Sequence, residues 1–86
     1  MNKIKITYSR HARRRMKLYG IFQEDVEQAI ANPDRHAEME GSRYVVHKTS
    51  SKFKGLPLKV IYVLEGECMV ILSAYPLKKA YRRHSQ

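Results

Sequence analysis

Leu58-Lys59-Val60-Ile61-Tyr62-Val63-Leu64, then Glu65-Gly66-Glu67, then Cys68-Met69-Val70-Ile71-Leu72-Ser73-Ala74-Tyr75 reads as two strands joined by a tight hairpin. Both runs are rich in β-branched and aromatic residues, which fit a pleated, half-buried surface, and the short Gly-centred break between them is a turn signal. Pro76 ends the second run. Working back, Glu40-Gly41-Ser42 is a turn that opens a third strand, Ser42–Lys48, and Arg35–Met39 is a weaker fourth. Thr49–Pro57, with Ser, Lys and Gly in excess, is a basic loop. Apolar residues fall on both faces of Leu58–Leu64, so the pattern leaves open which face is covered. That choice decides whether Lys48 or His47 lies near the first helix.

Two helices precede these strands. The first spans Ser9 to Tyr19, capped by Ser9 and closed by Gly20 in a left-handed conformation. Tyr8, Ala12, Met16 and Tyr19 form its apolar stripe. The second spans Phe22 to Asn32, with Phe22, Val26, Ala29 and Ile30 as its stripe. Glu24 and Asp25 sit in its first turn, where negative charge suits the helix dipole, and Pro33 stops it. The expected fold is therefore α+β: two N-terminal helices packed on a four-stranded antiparallel sheet, with Ile4–Thr7 as a short additional strand at an edge. The 86 residues make one domain, of which 78–86 is a basic polar tail.

A domain of this size has a thin core, which argues against a deep enclosed cofactor pocket, and no cofactor is expected. Seventeen Lys and Arg against eight Asp and Glu give a net charge of +9, an excess suited to attracting a polyanion. No apolar run approaches the roughly 20 residues needed to span a bilayer, and the N-terminus alternates charged and apolar residues, unlike a signal peptide. No membrane partner is expected. The single cysteine, Cys68, reads as a core thiol and fits a cytoplasmic protein. RNA is the expected partner, an acidic protein the alternative, and self-association is compatible with either.

The charge is uneven. Residues 1–19 carry seven cations and no acid, whereas the acids gather around the second helix and its exit. Arg10, Arg13, Arg14 and Lys17 cover the outer face of the first helix and read as phosphate contacts, against the alternative of a solvated face. Lys52 and Lys54 flank Phe53 in the basic loop. They suggest a surface for a stacked base, or equally an aromatic that anchors the loop. His11 and Arg15 are four residues apart, so they share one side of the helix and flank its core stripe. There a guanidinium could hold a phosphate while an imidazole moves a proton. Ser73 and Tyr75 share one face of the last strand and offer hydroxyls. His36, placed in a turn, and His84 read as bystanders. No Gly-rich phosphate loop and no Cys/His cluster of metal-ligand spacing is present, so any cutting of RNA is expected to use the substrate's own 2′-hydroxyl without a metal.

Ile6-Thr7-Tyr8-Ser9-Arg10-His11-Ala12-Arg13-Arg14-Arg15-Met16, then Gly20-Ile21 and Glu24-Asp25-Val26, resemble the small prokaryotic domain-of-unknown-function family 4258. The last two strands resemble that family's as well. The resemblance implies a barnase-, colicin- and RelE-like ribonuclease fold, common among toxins of toxin–antitoxin pairs. Carried over, the family's histidine falls on His11, its first arginine on Arg15 and its last-strand hydroxyl on Ser73; the expected site has His11 as general acid or base, Arg15 as phosphate clamp, and Lys48, Ser73 and Tyr75 as supporting groups, with an acidic antitoxin as protein partner. Tyr19 stands where the family often has arginine, and Phe22 where a Ser or Thr cap is usual. A non-catalytic nucleic-acid-binding module, and an accessory subunit docking an acidic protein, are the alternatives.

Overall fold

A computed structural model of the protein describes residues 4–77. The basic tail, with Lys78, Lys79, Arg82, Arg83 and His84, lies outside the described residues. The elements run β1 (Lys5–Tyr8), α1 (Arg10–Tyr19), α2 (Gln23–Ala31), β2 (Arg35–Met39), β3 (Arg43–Thr49), a short 3₁₀ turn (Ser51–Phe53), β4 (Pro57–Glu65) and β5 (Cys68–Pro76). The sheet is mixed and five-stranded, in the order β1-β5-β4-β3-β2. The expected four antiparallel strands are present as β2 to β5. The correction is β1, a full member of the sheet that pairs parallel with the first half of β5, Lys5 opposite Cys68 through Tyr8 opposite Ile71. A parallel pairing needs a long crossover, and here the two helices carry the chain from one edge of the sheet to the other.

Local chemistry sets the helix ends. The Ser9 hydroxyl accepts the Ala12 N–H at 3.0 Å and caps α1. Gly20, at φ 69°, closes α1 in the left-handed region, where a side chain would be strained. At the start of α2 the Phe22 N–H donates to the Asp25 carboxylate at 2.8 Å, the reciprocal half of a capping box, while Phe22 has no side-chain oxygen to accept a first-turn N–H as a Ser or Thr cap would. Phe22 does not join the core as its spacing suggests. It is 63% exposed, and the neighbouring Ile21 is buried instead.

The core lies between the helices and one sheet face. Ala12 and Met16 of α1, Ile21, and Val26 and Ala29 of α2 pack on Val46, Leu58, Val60, Tyr62, Met69, Ile71 and Ala74. Tyr8, Tyr19, Ile30 and Phe53 pack at its margin. Phe53 thus anchors the basic loop. His36 lies on strand β2 rather than in a turn. It is opposite Val46, stacks on Tyr44, and its Nε2 is 3.2 Å from the Tyr62 hydroxyl. Cys68 is half-buried rather than a core thiol.

One irregularity decides the rest. Tyr62 pairs with Ile71, but the preceding Ile61 pairs with Ser73, so Leu72 is an extra residue on β5. Side chains alternate along a strand, and one extra residue moves everything beyond it to the other face. Met69 and Ile71 face the helices. Ser73 and Tyr75, two and four residues further on, face away from them, opposite Ile61 and Lys59. The Ser9 hydroxyl, besides capping α1, donates to the Leu72 carbonyl at 3.1 Å and holds the irregularity against the start of the helix.

Candidate nucleic-acid interface

Pairing across the sheet brings Arg35, His47, Lys59 and Tyr75 into one row on the face that neither helix covers. Behind that row lies a second, of Ala37, Val45, Ile61 and Ser73. Lys5 and Arg43 share the face nearer its far end, where Glu65 is the acid in register with it. The face thus has a small-residue and aliphatic centre with cations at its margins.

Arg15 joins this row from the helix layer. Because β1 pairs with β5 only as far as Ile71, the second half of the β5 edge is open. The helix runs along it after Ser9, whose N–H donates to the Ile71 carbonyl at 2.9 Å. The Arg15 guanidinium reaches round this edge and lies 5.1 Å from the Tyr75 ring centroid. The Lys59 ammonium approaches the same ring at 5.7 Å. Tyr75 is therefore a π-surface between two cations, which holds both side chains while leaving their N–H donors free for an anion.

His47 carries the electrostatic signature of the row. Partial burial, with Lys59 and Arg35 on either side, pushes its pKa below the ordinary 6.5, so the imidazole is neutral at pH 7. Next to it a hollow of about 260 Å³ is lined by Asp34, Arg35, His47, Thr49, Pro57 and Leu77. Asp34 is the acid there, and it is already engaged. Its carboxylate accepts the Thr49 N–H at 2.7 Å, which holds its pKa below the usual value, and Lys48 lies 3.9 Å away.

The residues singled out from the sequence divide accordingly. Arg15, Tyr75 and Ser73 meet on the helix-free face. The Ser73 hydroxyl is buried without a hydrogen-bond partner. His11 is exposed on α1, one turn before Arg15 and on the same flank. Lys48 does not join them. It is opposite Leu58 on the helix-facing side and turns toward Asp34, so the adjacent His47 takes its place. Lys52 is likewise not a free cation: its ammonium is 2.6 Å from the Asp25 carboxylate and 3.8 Å from the Phe22 ring centroid. This clamp fastens the basic loop to α2. Lys54 is exposed in the same loop, and Arg10, Arg13, Arg14 and Lys17 are exposed on α1. Lys59 and Arg35 were not among the expected contacts, although alternation from Tyr75 and His47 would have paired them had the register been known.

Among the described residues no three His, Cys, Asp or Glu side chains gather in a way that could hold a metal ion, and no helix is long and apolar enough to cross a membrane. No curated protein matches the sequence. A family model, Domain of unknown function (DUF4258), matches residues 8–76 and so takes in the row from Arg15 to Tyr75, with both helices and all of β2 to β5. The chain belongs to the DUF4258 family.

Proposed function

We propose that the helix-free sheet face binds single-stranded RNA and cleaves it without a metal, as a ribonuclease-like toxin domain. The observation that carries this reading is the row Arg35, His47, Lys59, Tyr75 and Arg15: a neutral imidazole set among three cations beside an open hollow. In the proposed reaction His47 takes the proton from a 2′-hydroxyl, whose oxygen attacks the adjacent phosphorus. The bond to the 5′-oxygen breaks, and that oxygen receives a proton, for which His11, one turn before Arg15 on α1, is the proposed donor. The products are a 2′,3′-cyclic phosphate and a free 5′-hydroxyl. Arg15 and Lys59 stabilise the charge that develops on the phosphoryl oxygens, and Arg35 holds a neighbouring phosphate. Tyr75 is the hydroxyl within the row, and Ser73 lies in the row behind it.

Two N-terminal helices on one face of a mostly antiparallel sheet support a relationship to the barnase- and RelE-like ribonuclease folds. An acidic antitoxin covering the cationic face, and action in the cytoplasm, follow as parts of the same proposal. The test is cleavage of a labelled RNA by the purified protein in the presence of a chelator. Loss of about 10²-fold or more in His47→Ala and in Arg15→Ala, with Lys48→Ala near wild type, is the expected result. Salt-dependent binding with equal, background-level cleavage in all variants would leave a binding module and remove the catalytic assignment.

A further inference from the structure

We propose that the free edge of β2 is a self-complementary pairing surface, and that its partner is a second copy of this chain. β2 is an outer strand of the sheet, bonded on one side to β3. All five of its residues, Arg35 to Met39, are exposed. Edge strands are usually blunted against pairing by proline, by lysine or by a bulge. β2 contains no proline and no lysine, and its register with β3 runs without a break from Arg35 opposite His47 to Met39 opposite Arg43. β1, at the other edge, is shorter, carries Lys5 and is half-buried from Ile6 to Tyr8. The outward backbone N–H and C=O groups of β2 therefore form a regular template for another strand.

The side chains identify the partner. Antiparallel pairing of two β2 strands about Ala37 sets Arg35 opposite Met39 of the second copy, His36 opposite Glu38 and Ala37 opposite Ala37, and the two-fold axis repeats each contact. Two imidazole–carboxylate pairs result. A shift of two residues in one direction sets Glu38 opposite itself, a like-charge contact that destabilises a sheet, and in the other it sets His36 opposite itself and loses both pairs. His36 is already held for the contact. Its ring stacks on Tyr44 with centroids 5.7 Å apart, and with Nε2 3.2 Å from the Tyr62 hydroxyl, Nδ1 is left for a carboxylate. Glu38 takes part in neither of the ion pairs among the described residues, which are Lys48–Asp34 and Lys52–Asp25. On the helix-free face the aliphatic stem of Arg35 covers Met39 of the second copy, a side chain 37% exposed in one chain alone. Asp34 and Glu40, next in line, stay out of the ladder: Asp34 is turned to the Thr49 N–H, and Glu40 lies in the hairpin turn. Each pair joins residues of the same face, so the two sheets continue as one with the helices of both copies on one side. The acids Asp34, Glu38 and Glu40 against Arg35 also make this edge a place where two chains of +9 can approach.

The experiment follows the whole protein from about 10 μM to about 1 mM by analytical ultracentrifugation and by its amide NMR shifts. Five residue pairs make a small contact, so the expected dimer is a weak, transient one, with concentration-dependent shifts gathered on Arg35 to Met39. Glu38→Lys and His36→Glu, each alone, are expected to weaken dimerisation about tenfold. The double variant His36→Glu/Glu38→Lys restores opposite charges in the same register and is expected to return to within about threefold of wild type. An equimolar mixture of the two single variants is expected to associate more tightly than either alone, because their charges complement each other across the two-fold axis. Glu27→Lys on α2 makes the same change of net charge as Glu38→Lys and is expected to keep the wild-type affinity. A monomer throughout the range, a dimer whose shifts lie away from β2, or a double variant and a mixture that associate no better than the single variants would overturn the proposal.

Discussion

His47 is held neutral by partial burial and by the two cations beside it, and that gives the proposed site a readable pH behaviour. Its folded pKa lies below the ordinary 6.5 of an unfolded histidine. As pH falls, the unfolded chain binds this proton first, so the folded state loses stability. The contribution is fully present above about pH 6.5 and is lost as pH falls through the lower folded value. His47→Gln is expected to flatten the dependence of the urea midpoint on pH over that window. A phosphate lying between Lys59 and Arg35 offsets their charge, so RNA is expected to raise the His47 pKa. An NMR titration of its ring protons with and without RNA measures both effects. An unmoved His47 pKa in saturating RNA would separate this imidazole from the ligand.

At the scale of elements, the joint between α1 and β5 places the site. Ser9 bonds at once to the Ala12 N–H and to the Leu72 carbonyl, so one side chain both starts the helix and fixes the register slip that turns Ser73 and Tyr75 outward. Ser9→Ala is expected to cost about 2 kcal/mol, from a lost cap and a lost long-range hydrogen bond, and so to lower the melting temperature by about 8 °C or more. A melting temperature within about 1 °C of wild type would show that the joint is held elsewhere. Ser9 and Gly20 were legible in the sequence because caps are local signals, and the β4–β5 hairpin was legible for the same reason. The slip at Leu72 was not. Met69 to Ala74 has apolar residues at all but one position, so no alternation marks where the face changes. The parallel pairing of β1 was underweighted because it depends on a partner some sixty residues away. Lys48 was preferred to His47 because adjacent residues exchange faces with a one-residue change of register, and the apolar pattern of β4 is two-sided. His11, Arg15, Ser73 and Tyr75 were recognisable from spacing and resemblance. Arg35 and Lys59 needed the sheet.

Across the whole molecule the +9 net charge is partitioned rather than spread. Lys52 and Lys48 face Asp25 and Asp34, whereas Arg15, Arg35 and Lys59 lie along one row of the helix-free sheet face. Salt dependence separates these classes, because only cations that neutralise phosphates release counterions. Lys59→Ala is expected to reduce the slope of log K against log salt by about 0.7 for single-stranded RNA. Lys52→Ala is expected to leave the slope unchanged while loosening the basic loop. Equal slopes for both variants would mean attraction by overall charge. The most direct measurement is a backbone and methyl NMR map of the protein titrated with a short, non-cleavable single-stranded RNA. The expected shifts gather on Arg35, Val45, His47, Lys59, Ile61 and Tyr75, with Val46, Val60 and Lys48 of the opposite face little changed. Shifts concentrated on α2 and the Thr49–Pro57 loop, with that outward row silent, would contradict it.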